Sequence, residues 1–421
     1  MRETLPDVPA VSVLQAALRK TTETLAHEVA RPGTTAPDWS GFEWHIARAV
    51  VAMHGVSPLF AGALRWHGPS QWREFLQDQR AHTATRHARI EELLRRIDCG
   101  ARHAGIAAVA LKGAELHSIG LYRAGERPMG DVDLLVRSAD IDVTTRMLEA
   151  QGFRASYATW KHWVFVPQNP RPRPARASLG EDADDDLKIE LHERIQEALP
   201  VCRQDVTALV MPRHAQPGLN RYPSTAALMI HLLLHAAGAI VLRNVRLLQL
   251  HDICLLAARM TDADWNELVD HAAAAGGFWW AWPPLALTAR YYPDVIPDGA
   301  LAALQERCPP LLRTIARRQR LSDVSLSYLP VGVFPGIEWS HSLHEALGYA
   351  VRRVLPNREA LAARTTYAAT RGAGTQNPWD QLSQWRRIVR WLAAPQPRIE
   401  ALAPIRVALL GAQESSGKMA S

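Results

Sequence analysis

Asp131-Val132-Asp133-Leu134-Leu135-Val136 reads as a buried strand, and on a strand alternate side chains leave opposite faces. The carboxylates of Asp131 and Asp133 therefore share one face and can grip the same cations. Residues 106–111 form a short apolar run of strand length between Gly105 and Lys112-Gly113. Downstream, Leu187, Ile189 and Leu191 alternate with Lys188, Glu190 and His192, so Glu190 and His192 share a face of a further strand. Two acids on one strand and a third on a neighbour are an arrangement for phosphoryl transfer.

Outward from these strands the pattern changes period. Between about residues 10 and 100, apolar side chains recur at three and four positions, as in Val11, Leu14, Leu18 and in Ile90, Leu93, Leu94, Ile97, which is helical. Residues 114–121 read as a short helix, 122–130 as a loop, 141–151 as a helix closed by Gly152, and 162–166 as a strand. Residues 167–186, prolines and arginines followed by acids, read as a mobile surface loop. From about residue 222 the chain is helical again, with breaks at Gly276-Gly277, Pro283-Pro284, Pro309-Pro310, 322–342 and Pro356, and a small, polar tail after Gly411 that is expected to fray. The expectation is an α+β protein: an N-terminal helical region over 1–84, a core with a small mixed β-sheet over 85–220, and a C-terminal helical domain over 221–421.

With 421 residues, 48% hydrophobic and 21% charged, the chain has material for several cores, and neither a disordered nor a fibrous reading is needed. Cys99, Cys202, Cys254 and Cys308 are far apart, which indicates no disulfide framework and no cysteine-rich zinc site and fits a reducing cytoplasm. Residues 1–7 lack the basic-then-apolar order of a signal peptide, and His231 and His235 interrupt the longest apolar stretch, 226–242, so a soluble protein is expected. The net charge of +6 is concentrated at the end, since residues 301–421 carry 16 Lys and Arg against 8 Asp and Glu. That region could attract a polyanion, although an arginine-rich composition also simply solvates helices. Only 5 of the basic residues are lysines, so one placed beside a glycine near the acid pair carries more information than an arginine would.

Transfer of a nucleotidyl group needs charge neutralisation on a triphosphate and an acceptor deprotonated near neutral pH, both of which divalent ions held by three carboxylates supply. Magnesium prefers hard oxygen ligands, so a few acids plus substrate phosphates suffice. Asp131 and Asp133 would bridge the ions, and Glu190 would complete the ion that activates the acceptor. Lys112 could donate to the phosphates, while Gly113 lets the backbone come close.

These residues resemble the uncharacterised nucleotidyltransferase-like proteins of the DNA polymerase β superfamily. The resemblance runs from Leu111-Lys112-Gly113 through Leu121-Tyr122, Arg127-Pro128-Met129-Gly130-Asp131-Val132-Asp133-Leu134-Leu135-Val136, Gln151-Gly152-Phe153 and Ile189-Glu190-Leu191-His192 to His231, His235 and Asp252-Ile253, roughly residues 85–275. It implies a nucleotidyltransferase core of mixed sheet and flanking helices, Mg²⁺, an NTP with ATP first among candidates, and metal-binding carboxylates at Asp131, Asp133 and Glu190. It also implies that Lys112, Gly113 and Arg127 face the triphosphate. It departs from the superfamily in Lys-Gly replacing the usual Gly-Ser pair and in Glu190 standing where aspartate is common.

Other readings compete. Arg127 could clamp a phosphate or pair with Asp131 or Asp133, and His192 could orient an acceptor or be hydrogen-bonded within the strand. His231, His235 and His251-Asp252 have a loose likeness to the ligand order of a metal-dependent phosphohydrolase. A noncatalytic peptide- or nucleic-acid-binding protein would use arginine and tryptophan faces, such as Trp279, Trp280 and Trp282, or Trp385 and Trp391 beside Arg386, Arg387 and Arg390, for which core packing is the alternative. The acceptor is open: a small molecule, a peptide or an RNA end would suit the same acids.

Overall fold

The computed structural model describes residues 9–171, 178–274, 277–330, 336–356, 382–393 and 397–419. The N-terminal residues 1–7, the middle of the 167–186 segment, Gly276 and the Trp391 side chain, all considered above, lie outside the described residues. Helices α1 (Val11–Ala30), α2 (Gly41–Met53) and α3 (Ser57–Ala63) lead into α4 (Ser70–His103), which is 34 residues long and runs without a break through residue 84. Ser40 begins α2 with a reciprocal capping box to Glu43, which satisfies two backbone donors that the helix leaves open.

Strands β1 (Ala107–Ala110), β2 (Asp131–Val136), β3 (Phe153–Ala158), β4 (His162–Pro167), β5 (Lys188–His192) and β8 (Gly218–Asn220) form a mixed sheet in the order β3-β4-β5-β2-β1-β8. Strands β6 (Gln196–Ala198) and β7 (Arg203–Asp205) make a separate hairpin. The four strands read from sequence are present within a residue or two. The sequence reading missed β3, β6, β7 and β8: three of them are three residues long, and β3 is an edge strand whose exposed Arg154, Ala155 and Ser156 break any alternation.

The sheet has two different faces. Ala108, Ala110, Val132, Leu134, Val136, Ile189 and Leu191 pack against Ile90, Leu93 and Ile97 of α4 and Leu148 of α6 (Ile141–Ala150). On the opposite face, Val109 and Leu135 join a larger core that takes in Leu14 and Leu18 of α1, Val50 of α2, and residues of α8 (Thr225–Val241), α9 (Leu247–Ala257) and α11 (Trp282–Tyr291). Helices from both ends of the chain therefore cover the face from which Asp131 and Asp133 project. Trp279, Trp280 and Trp282 are buried in that core, as the packing alternative expects, while Trp385 of the helix Gln384–Ala393 is exposed. The helix Ile399–Met419 continues through position 411, where the sequence reading expects a frayed tail. Among the described residues no single helix is long and apolar enough to cross a membrane.

Two connections differ from expectation or depend on distant partners. The acidic end of the 167–186 segment is pinned to α4 instead of being free: Glu181 exchanges two hydrogen bonds with Gln79 (2.8 and 3.0 Å), its carboxylate meets Arg86 at 2.8 Å, and the Ala183 amide donates to His82. Basic and polar side chains of a long helix supply the partners that composition alone did not reveal. The loop before β2 is tied to α9 by Asp252, which is 2% exposed and accepts from Arg127 Nε (2.8 Å), Arg127 Nη2 (2.7 Å) and Tyr122 Oη (2.6 Å). Breaking a buried pair leaves the surviving charge uncompensated. Asp252→Ala is expected to cost about 3–5 kcal/mol in equilibrium denaturation, and a loss below about 1 kcal/mol would show that this pair does not hold the loop.

Candidate active site

Strands β2 and β5 pair in parallel with Asp131 opposite Lys188, Asp133 opposite Glu190 and Leu135 opposite His192. Directly opposed residues share a face, so the register alone brings Asp131, Asp133, Glu190 and His192 together. Lys112 arrives from the end of β1, whose antiparallel partner is β2, and the Leu111 amide donates to the Asp133 carbonyl.

The resulting contacts are dense. Asp133 Oδ1 lies 2.9 Å from Lys112 Nζ and 3.0 Å from His192 Nε2, and the carboxyl groups of Asp131 and Glu190 come close enough to act on each other. Two buried carboxyls that repel each other favour holding one proton between them. Burial raises Asp131 first, with the Asp133 charge second, and Glu190 is pushed up to about 8 by burial, then Asp131, then Asp133. Asp133 goes the other way. Burial works against its charge, but Lys112 and then His192 hold it well below the usual carboxylate range. Lys112 is itself raised, since Asp133 and Asp131 outweigh the effect of burial on its ammonium.

Lys112 also carries backbone strain, with φ at 45° and ψ at −115°. A lysine has no ordinary reason to adopt that conformation, and such outliers persist where the surroundings over-determine them. Here Tyr222 Oη accepts from the Lys112 amide at 3.4 Å and bonds His231 Nδ1 at 2.7 Å, which fixes the turn against α8. Glycine is required at the next position, because a Cβ on Gly113 would run into the Arg127 guanidinium and approach Met129 Sδ to 2.9 Å.

A cavity of about 100 Å³ opens beside the acids, lined by Lys112, Lys161, His162, Glu190, His192, Glu197, His231 and His235 among others. Enclosing a drug-sized ligand takes roughly 300–1,000 Å³, so this space suits cations and a phosphate or a small acceptor group and leaves a nucleoside outside it.

A family model described as an uncharacterised nucleotidyltransferase matches residues 40–293, more than half of the chain. The chain belongs to that family. No curated protein matches it, and no solved structure does. The nucleotidyltransferase match begins well before residue 85, where the motif resemblance starts, and it runs from α2 to just past α11. The family unit therefore includes α2, α8, α9 and α11 of the helices that cover the acid-bearing face of the sheet, while α1 precedes it.

Within this nucleotidyltransferase the predicted residues fall into two groups. Asp131, Asp133, Glu190, His192 and Lys112 converge in one cluster, with Gly113 beside it. Arg127 is held bidentately by Asp252, so the carboxylate that takes it is neither acid of β2. The residues of the phosphohydrolase alternative are held by separate partners: His231 by Tyr222, His251 by Tyr292 at 3.1 Å, and Asp252 by Arg127 and Tyr122. Sequence reading missed His162, Lys161 and Glu197 at the cavity. Lys161 meets Glu197 at 2.5 Å, and the His162 ring is pushed down to about 4 by burial and then by His192. The register of β4 against β5 places His162, with Lys161 just before it, and Glu197 comes from β6; no local pattern announces either.

The acid cluster makes the apo protein sensitive to pH. Unfolded Glu190 ionises near 4.5, whereas in the fold it holds its proton to about 8, so the native state binds more protons between those values and stability falls as pH rises through that window. In chelator, Glu190→Gln should melt higher than the parent at about pH 8.5, with the gain vanishing near pH 4.5. An equal or lower melting temperature at the alkaline end would contradict the clustering.

Proposed function

We propose that the protein transfers a nucleoside monophosphate from an NTP, ATP first among candidates, to an acceptor hydroxyl, with Mg²⁺ held by Asp131, Asp133 and Glu190. The observation that carries this reading is the convergence of those three carboxyl groups beside one buried lysine. Three buried acids repel one another, and a binding scaffold gains nothing from collecting them. The donor set suits the metal: hard oxygens on adjacent strands, with Asp131 and Glu190 joined through a proton that a cation would replace. Bound there, Mg²⁺ supplies neutralisation of the triphosphate and acidification of the acceptor oxygen.

The chain's own groups do the rest. Lys112, fixed by strain and by Asp133, directs an ammonium at the phosphates. The acceptor hydroxyl gives its proton to solvent, its oxygen bonds to the α-phosphorus as the bond to the bridging oxygen breaks, and pyrophosphate leaves with that electron pair. Gly113 and the loop held by Arg127 and Asp252 shape the floor, and the cavity offers room for the acceptor group. The acceptor is a small molecule, a peptide or an RNA end, and a cytoplasmic setting fits four free cysteines.

A ligand that binds the native state raises its melting temperature by mass action. Millimolar ATP with Mg²⁺ is expected to raise it by several degrees and ATP with chelator by less, while no metal-dependent shift with any NTP would favour the noncatalytic reading. Incubation with labelled ATP should label an acceptor in cell extract. Asp131→Asn should abolish labelling with the fold intact by circular dichroism, whereas Asp133→Asn also unpairs Lys112 and is the less clean variant. Lys112→Ala should mainly raise KM for NTP, since that contact exists in the ground state too. Unchanged labelling in Asp131→Asn would remove the mechanism.

A further inference from the structure

We propose a transition-metal site formed by His162, Glu190 and His192, taking a first-row divalent ion of the Zn²⁺ or Co²⁺ type at the cavity edge of the acid cluster. It deepens the reading above by adding a second ion that shares Glu190 with the Mg²⁺ site, and rests on that reading for the ion's role but not for its ligands.

The site is built by strand register. His162 of β4 stands directly opposite His192 of β5 in an antiparallel ladder, and Glu190 is two residues before His192, so all three side chains share one face. A ligand atom from each lies within 4.8 Å of the other two. His162 Nδ1 is 3.3 Å and His192 Nε2 3.9 Å from the same oxygen, Oε2 of Glu190. Donors about 2.0–2.2 Å from a tetrahedral ion stand roughly 3.3–3.6 Å apart, so His162 Nδ1 is already at that spacing from Glu190 Oε2 and His192 Nε2 lies somewhat beyond it. Three protein ligands with an open fourth position match an ion that meets a substrate or water, and all three residues line the cavity.

Two further observations favour an ion over a simple hydrogen-bonded cluster. His162 Nδ1 is buried, and Glu190 Oε2, 3.3 Å away, lies off the direction of a hydrogen bond, so the nitrogen is left without one, which folded proteins rarely do without a reason. Asp133 and the proton-sharing pair Asp131 and Glu190 face the Lys112 ammonium, Arg246 also acts on Asp131, and Lys161 is engaged by Glu197, so once that shared proton is lost three carboxylates face two cations and a bound ion meets net negative charge. Two imidazoles and one carboxylate select a transition ion, because magnesium prefers an all-oxygen shell. Binding takes His192 as the tautomer with its hydrogen on Nδ1, so Nε2 no longer directs one at Asp133, and the proton shared by Glu190 and Asp131 leaves to solvent.

The test uses the full chain and Co²⁺ alone. Visible absorption with the intensity of a four- or five-coordinate ion, imidazole coupling in pulsed electron paramagnetic resonance, and displacement by Zn²⁺ but not by millimolar Mg²⁺ are expected. His162→Ala should weaken Co²⁺ binding about tenfold or more, at unchanged circular dichroism. Asp131→Asn should retain the Co²⁺ spectrum while losing the melting shift with ATP and Mg²⁺. A parent protein whose Co²⁺ spectrum lacks imidazole coupling overturns the site whether or not the variants fold. If the ATP and Mg²⁺ shift survives that result, the transferase reading stands without it; a Co²⁺ site without that shift has the opposite meaning.

Discussion

The parallel pairing of β2 with β5 is the constraint on which the site depends. It sets Asp133 opposite Glu190, and one residue of slip would turn Glu190 and His192 toward α4 and bring Ile189 and Leu191 to the acids. The hydrophobic face forbids that slip, because Ile189 and Leu191 are fully buried against Val132, Leu134 and the α4 side chains. Apolar packing on one side of the sheet thus determines which charges meet on the other.

The charges that meet are costly, and the structure offsets the cost in steps. Lys112 neutralises one acid, His192 donates to the same acid, and a proton between Asp131 and Glu190 removes another charge. Burial in a low-dielectric setting makes each of these interactions stronger and each unpaired charge more expensive. Holding Lys112 in place demands a strained backbone, and that strain is supported by Tyr222 and His231 from the helical layer. The site is accordingly a joint product of sheet and helices, which fits a family match that extends from α2 to beyond α11.

Charge elsewhere is used for architecture. Arg127 and Asp252 lock the approach to β2, and Arg86 and Gln79 dock the acidic segment on α4. An arginine beside an acid pair and an acidic run between strands both look functional or mobile in one dimension. In three dimensions each has a partner more than a hundred residues away, or close to it, that determines its role.

How much of this was legible in the chain follows from range. The Asp131-Val132-Asp133 alternation, the alternation around Glu190 and the Lys112-Gly113 junction are local patterns, and the sequence by itself determined the α+β class, the principal strands and the face each acid takes. Short strands such as β6 to β8 carry too few residues for a period to show. Only the tertiary structure decided that β5 lies beside β2, that Arg127 belongs to Asp252, and that His162 reaches the acids by facing His192. Those outcomes depend on strand order and long-range packing, where the free energy comes from burying surfaces that no neighbouring residues in the chain can specify.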